Sequence, residues 1–152
     1  MNAARKKTSA ELKLGHLYGQ LGYHLARASV ITTEAFHACV GQPFQLRKVE
    51  YSLLMLLLAN QALSPKQLVK ALALTAPNLT MLLDRLQERG LIVRERNPND
   101  GRSQHVRLTP EGLKLTQAAD QASHAMYDHW QKRLSPAENA MLLELLAKVY
   151  GE

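Results

Sequence analysis

From about Leu12 to Val40, apolar residues recur at Leu14, Leu17, Leu21, Leu25, Ala28, Ile31, Ala35 and Cys39, a helical spacing that predicts one long helix. Gly15, Gly19 and Gly22 oppose it, each costing about 1 kcal/mol relative to alanine, so the helix starts late or another backbone approaches closely there. Gly41 and Pro43 are expected to end it. Residues 45–60 resume with Val49 and the run Leu53, Leu54, Met55, Leu56, Leu57 and Leu58, so apolar that this helix is expected to be buried nearly all round.

The stretch LSPKQLVKAL is a helix start, with Ser64 as N-cap, Pro65 at the first helical position and Gln67 closing a capping box. Only Ala73 and Leu74 separate this short helix from Thr75, a second N-cap. The helix it opens puts Leu79, Leu82, Leu83 and Leu86 on one stripe, and Gly90 ends it as a C′ residue. Asn78, Thr80, Met81, Asp84, Arg85 and Glu88 lie on its other face, with Arg85 and Arg89 near Asp84 and Glu88. Two short helices joined by so brief a turn form a helix-turn-helix.

Beyond Gly90, LIVRER and QHVRL read as two strands, with Val106 and Leu108 on one face and His105 and Arg107 on the other. The NPNDGRS stretch joins them as a hairpin with Arg102 near its tip. Thr109, Pro110 and Glu111 open a helix expected to run to about Leu134. Ser135 to Glu138 is a further capping box, opening a last helix with Met141, Leu142, Leu145, Leu146 and Val149 on one side.

Helix-turn-helix followed by a hairpin is the winged helix-turn-helix order, so the fold class is mainly α with a small β-hairpin wing. In such a fold the Thr75 helix lies in a DNA major groove and Arg102 reaches the minor groove, where a narrow groove attracts a guanidinium without a base-specific bond. The charge distribution agrees. Residues 1–63 hold seven Lys/Arg against three Asp/Glu and residues 64–109 eight against four, whereas residues 110–152 hold four against six. In a chain of 152 residues with a net charge of +6, the basic excess sits away from the C-terminal third.

TAPNLTMLLDRLQERG followed by LIVRERNPNDGRSQHVRLTPEGLKL resembles the MarR family of bacterial transcription regulators. The likeness is detailed over about 50 contiguous residues and extends in layout to nearly the whole chain. The resemblance implies a homodimer held by the first and last helices, two winged lobes on a palindromic operator of double-stranded DNA, and repression relieved by a small-molecule effector. It divides the chain into a helical dimerisation region, residues 1–44 and 110–152, and a DNA-binding lobe, residues 45–109. Carried over by position, Thr75, Pro77, Asn78 and Thr80 start the recognition helix, Arg85 faces phosphate, and Asp100, Gly101 and Arg102 form the wing motif. Met81 departs from the pattern, standing where the family commonly has a basic residue, so a thymine-methyl contact is the alternative to a polar one.

Arg27 is the only Asp, Glu, Lys or Arg between Lys13 and Glu34, and Tyr23 lies one turn before it. It reads either as a snorkelling or dimer-contact arginine, or as a carboxylate clamp at the family's effector site, with Tyr51 and His124 as walls. An aromatic carboxylate is the effector class that this second reading implies.

Cys39 is expected to be a buried small hydrophobe rather than a sensing thiol, and one cysteine allows no intrachain disulfide. The six histidines include no i, i+4 pair, so no metal site and no cofactor are expected. No apolar stretch reaches membrane-span length and the start lacks a secretory block, which predicts a cytoplasmic protein with no membrane partner. An enzyme is the remote third reading and is not expected, since the sequence has no phosphate loop, nucleophile elbow or zinc-protease signature. A protein-binding winged-helix adaptor is the alternative. Arg94, Arg96, Arg102 and Arg107 in the hairpin region oppose it, since a protein-binding face would carry more apolar anchors.

Overall fold

The structure, a computed structural model, describes residues 12–97 and 100–151, with the side chains of residues 97, 100–103, 129 and 131 not included. It is mostly helical with one small antiparallel sheet. The predicted N-terminal helix is segmented. A 3-10 turn, Gly15–Gly19, precedes helix α1, Leu21–Phe36, with Gln20 extended between them. A π turn, His37–Gly41, then leads into the single turn α2, Gln42–Phe44.

Gly41 and Pro43 therefore do not end the helical arm; Gln45 does, in the left-handed region at φ 52°. Pro43 is tolerated because it falls in the first turn after the widened π turn, where its missing N–H breaks no regular ladder. Gly41 is buried, and a Cβ there would lie 3.2 Å from the Phe36 ring.

Helix α3 spans Lys48–Asn60 and buries Leu53, Leu54 and Leu57, while Met55, Leu56 and Leu58 are only half-buried. The expectation of burial nearly all round was too strong, because one flank of this helix stays open. After it comes strand β1, Ala62–Leu63, which the hydrophobic pattern did not announce. Helix α4, Pro65–Leu72, and helix α5, Ala76–Glu88, start at the predicted caps: the Ser64 and Thr75 hydroxyls accept the N–H groups of Gln67 and Asn78. Gly90, at φ 69°, ends α5 with the Leu91 N–H donating to the Leu86 carbonyl.

Strands β2, Ile92–Asn97, and β3, Asp100–Leu108, form the predicted hairpin, and β1 pairs with the outer side of β3 to give the order β1-β3-β2. Pro98 and Asn99 of the predicted turn lie outside the described residues. Leu53, Leu54, Leu57, Leu68, Leu79, Leu83, Leu86, Ile92 and Val106 meet in one core between the helices and the sheet.

Helix α6, Pro110–Ser123, is shorter than predicted and passes through a 3-10 turn, His124–Tyr127, into α7, Asp128–Gln131. Its start is locked to the lobe. The Thr109 hydroxyl donates to the Gly90 carbonyl at 2.6 Å and accepts from the Gly112 N–H at 2.9 Å. The Thr109 N–H donates to the Leu91 carbonyl at 3.1 Å.

Helix α8, Pro136–Tyr150, starts at the predicted Ser135 box, whose N–H and hydroxyl hold the Glu138 carboxyl below its ordinary pKa. No residue of α8 is buried, and Met141, Leu142, Leu145 and Val149 are exposed along with Leu21, Leu25, Val30 and Ile31 of α1. Among the described residues no helix is long and apolar enough to cross a membrane.

Candidate nucleic-acid interface

Helix α5 is held by its apolar stripe and presents the opposite face outward. Leu79, Leu82, Leu83 and Leu86 are buried, while Thr75, Pro77, Asn78, Thr80 and Met81 are all exposed. Thr75 commits its oxygen to capping, 3.4 Å from the Asn78 N–H, and the Thr80 hydroxyl donates to the Ala76 carbonyl at 3.1 Å. Among the described residues, no hydrogen bond is made by the Asn78 side-chain amide. Met81 is 72% exposed, the largest apolar surface on this face.

Arg85 is placed differently from its neighbours. Its Nε lies 3.0 Å from Oε1 of Glu50, a fully buried carboxylate at the start of α3. That oxygen is in ion-pair range without an aligned hydrogen bond, whereas Oε2 accepts the Arg47 N–H at 2.7 Å. Arg89 approaches the same carboxylate at 3.9 Å and donates to the carbonyls of Phe44 and Gln45 at 3.1 and 2.9 Å. The last turns of α5 are thus tied to both the end of the N-terminal arm and the start of α3. Helical spacing sets Arg85 and Arg89 near Asp84 and Glu88 and does not reveal Glu50 as their partner. The signal was present, for Glu50 is the only charged residue between Lys48 and Lys66.

Asp84 instead pairs with the wing. Arg94 of β2 places Nη2 2.6 Å from Asp84 Oδ1 and donates through Nε to Gln87 at 2.8 Å, joining the strand to α5. Arg107 of β3 lies 3.4 Å from Glu95, an exposed pair that contributes little. Asp100, Gly101 and Arg102 fall at the turn end of β3, with Asp100 opposite Asn97, and their side chains are outside the description. The hairpin thus leaves the lobe beside the exposed face of α5.

The second candidate group divides in two. Arg27 and Tyr23 come together on exposed α1, with the guanidinium donating to the Tyr23 hydroxyl at 3.3 Å and its carbon 6.0 Å from the ring centre. Tyr51, on α3, is half-buried with its ring 5.8 Å from that of Phe36, and burial pushes its hydroxyl pKa up despite the Ser123 hydroxyl beside it. His124 follows Ser123 and is exposed. Among the described residues, no hydrogen bond or ion pair joins Arg27 to Tyr51 or His124. Cys39 is half-buried rather than fully buried, in contact with the apolar core.

The family model described as "MarR family" matches residues 44–103, the segment from the end of the arm to the wing. The multiple antibiotic resistance protein MarR of Salmonella typhimurium is 32% identical over 108 residues, which is 70% of this chain and 75% of the relative. The chain belongs to the MarR family.

A second relative of this MarR-family chain is a putative transcriptional regulatory protein for the hcr operon of Thauera aromatica. It is 30% identical over 94% of this chain and 86% of the relative. Among solved structures, the transcriptional repressor CouR bound to a 23-mer DNA duplex superposes with a TM-score of 0.84 at 34% identity. That match covers 93% of this chain and 99% of CouR. CouR bound to p-coumaroyl-CoA superposes at 0.80 with the same identity and coverage.

Proposed function

We propose that this chain is a homodimeric, sequence-specific repressor that leaves a palindromic operator when a small effector binds. The observation that carries the reading is the exposed polar start of α5 beside a basic wing, on a fold shared with a repressor solved on DNA. In it, residues 45–109 form the DNA lobe, with Thr75, Pro77, Asn78, Thr80 and Met81 in the major groove. Arg85 lies on the phosphate side as far as Glu50 releases it, and the Asp100-Gly101-Arg102 turn lies at the minor groove.

Residues 1–44 and 110–152 form the dimerisation region, whose apolar faces on α1 and α8 are exposed in the single chain and have each other's copies to cover them. Such a regulator works in the bacterial cytoplasm.

Two measurements test this together. Light scattering should give twice 17.0 kDa at micromolar concentration. Binding to duplexes selected from random sequence should weaken steeply with salt, as counterion release requires. A monomer would remove the two-half-site geometry, and no duplex binding even at low salt would favour a protein-binding adaptor instead.

The effector is a small aromatic carboxylate, held near Arg27 and Tyr23 with Tyr51 and His124 as walls. Support for the carboxylate comes from the guanidinium already oriented by Tyr23, and for the aromatic ring from a neighbour solved with p-coumaroyl-CoA. The ligand acts only through its differential affinity for dimers whose recognition helices fit or miss adjacent major grooves. Arg27→Leu should leave DNA affinity nearly unchanged and abolish release by aromatic acids that free the wild type. A normal response removes the clamp, and loss of dimerisation makes Arg27 a structural contact.

A further inference from the structure

We infer that the recognition helix selects A·T pairs at two neighbouring positions of each half-site, Met81 packing on a thymine methyl and Asn78 reading an adenine. This rests on the DNA-binding reading above and names the sequence feature that α5 recognises.

The hydrogen bonds restrict the other candidates. The Thr75 oxygen accepts in the cap, Thr80 donates its hydroxyl hydrogen to Ala76 and keeps only its acceptor side, and Arg85 turns its Nε to Glu50. Pro77 carries no donor. Asn78 and Met81 are the side chains left wholly uncommitted on the first two turns: one amide with no hydrogen-bond partner among the described residues, and one thioether side chain that is 72% exposed. They are three residues apart, on one face of the helix, and border the same hollow of about 390 Å³ with Leu74 and Val49.

Base chemistry then decides the reading. An amide side chain matches adenine in the major groove, accepting from N6 and donating to N7, and an unbranched apolar side chain finds its one apolar partner there in the thymine methyl group. Three residues of separation are about 4.5 Å of helix rise. A base step is about 3.4 Å. The two contacts therefore fall on neighbouring pairs. Asp84, three residues beyond Met81, is engaged by Arg94 at 2.6 Å.

Deoxyuridine lacks only the thymine methyl, so it isolates this contact. With a duplex selected by the full chain, thymines are replaced by deoxyuridine one symmetric position at a time. One position should lower wild-type affinity about fourfold per half-site, the equivalent of one buried methyl. Met81→Ala, folded because the side chain is exposed, should bind more weakly and be indifferent to the methyl at that position.

Asn78→Ala should relax the preference for adenine at the neighbouring pair. Wild-type binding insensitive to deoxyuridine at every position overturns the inference while leaving DNA binding intact. So does a Met81→Ala variant that keeps the sensitivity. If no duplex is enriched at all, the DNA-binding reading fails and takes this one with it.

Discussion

Gly112→Ala should destabilise the chain by about 3 kcal/mol or abolish its folding, the upper end of what forced overpacking costs. A Cβ at Gly112 would sit 1.8 Å from the Leu91 carbonyl oxygen and 2.7 Å from its carbon. Both obstructing atoms are backbone, so no side-chain rotation relieves the clash. Separating the segments would break the bonds of Thr109 to Gly90 and Leu91, which fix where α6 leaves the lobe. Urea titration at an unchanged slope measures the loss. A change below about 1 kcal/mol would mean that α6 moves off the Leu91 backbone cheaply and that the junction is a soft hinge.

The paired replacement Arg85→Ala with Arg89→Ala should have the second largest effect. Glu50 would remain buried with only the Arg47 N–H at one oxygen, and an uncompensated buried charge costs about 3–5 kcal/mol. The arginine side chains are 39% and 27% exposed, so solvent already screens part of the attraction and about 3 kcal/mol is the expected loss.

Adding Glu50→Leu to the same variant should restore most of it, less about 1 kcal/mol for the lost bond to the start of α3. Denaturant titration of the wild type, the double variant and the triple variant decides the matter. A double variant as stable as the wild type would show that the carboxylate is not held by these arginines. A triple variant that recovers nothing would show that the arginines act through packing of their stems.

The coupling has a functional side. Arg89 holds the carbonyls that end the N-terminal arm, and the Glu50 carboxylate ties that helix turn to α3. In the proposed repressor, a rotation of the arm within the dimer would therefore be passed to α5 as a rigid-body movement rather than lost in a loop. Arg94 would carry the wing along through Asp84.

Much of this architecture was legible before any coordinate. Ser64, Thr75, Thr109 and Ser135 all cap the helices they were expected to open, and the stripe of Leu79, Leu82, Leu83 and Leu86 is the buried side of α5. A cap bonds an N–H three residues away, and a stripe repeats within one turn. The physics is therefore contained in a short window of sequence. The hairpin was legible for the same reason, since its two strands are neighbours in the chain.

Other features were settled at longer range. Strand β1 is two residues long and exists because Ala62 and Leu63 meet Arg107 and Val106, far along the chain. Gly112 looks like any helix-interior glycine until the Leu91 carbonyl is brought against it. The late start of α1 after Gln20 was announced by Gly15, Gly19 and Gly22, whereas the widening at His37–Gly41, where Val40 and Gly41 are buried, and the tightening at His124 are not readable from a periodicity that tolerates small shifts. Glu50 announced itself as a lone charge in an apolar run, but not its partners.

The order of elements, their caps and the exposed polar face of α5 were thus written in the chain itself, because each depends on contacts within a few residues. Folding alone settled which arginines Glu50 takes out of circulation, which side chains of α5 remain available, and where α6 is pinned, because burial and partner choice are set by residues brought together only when the chain folds.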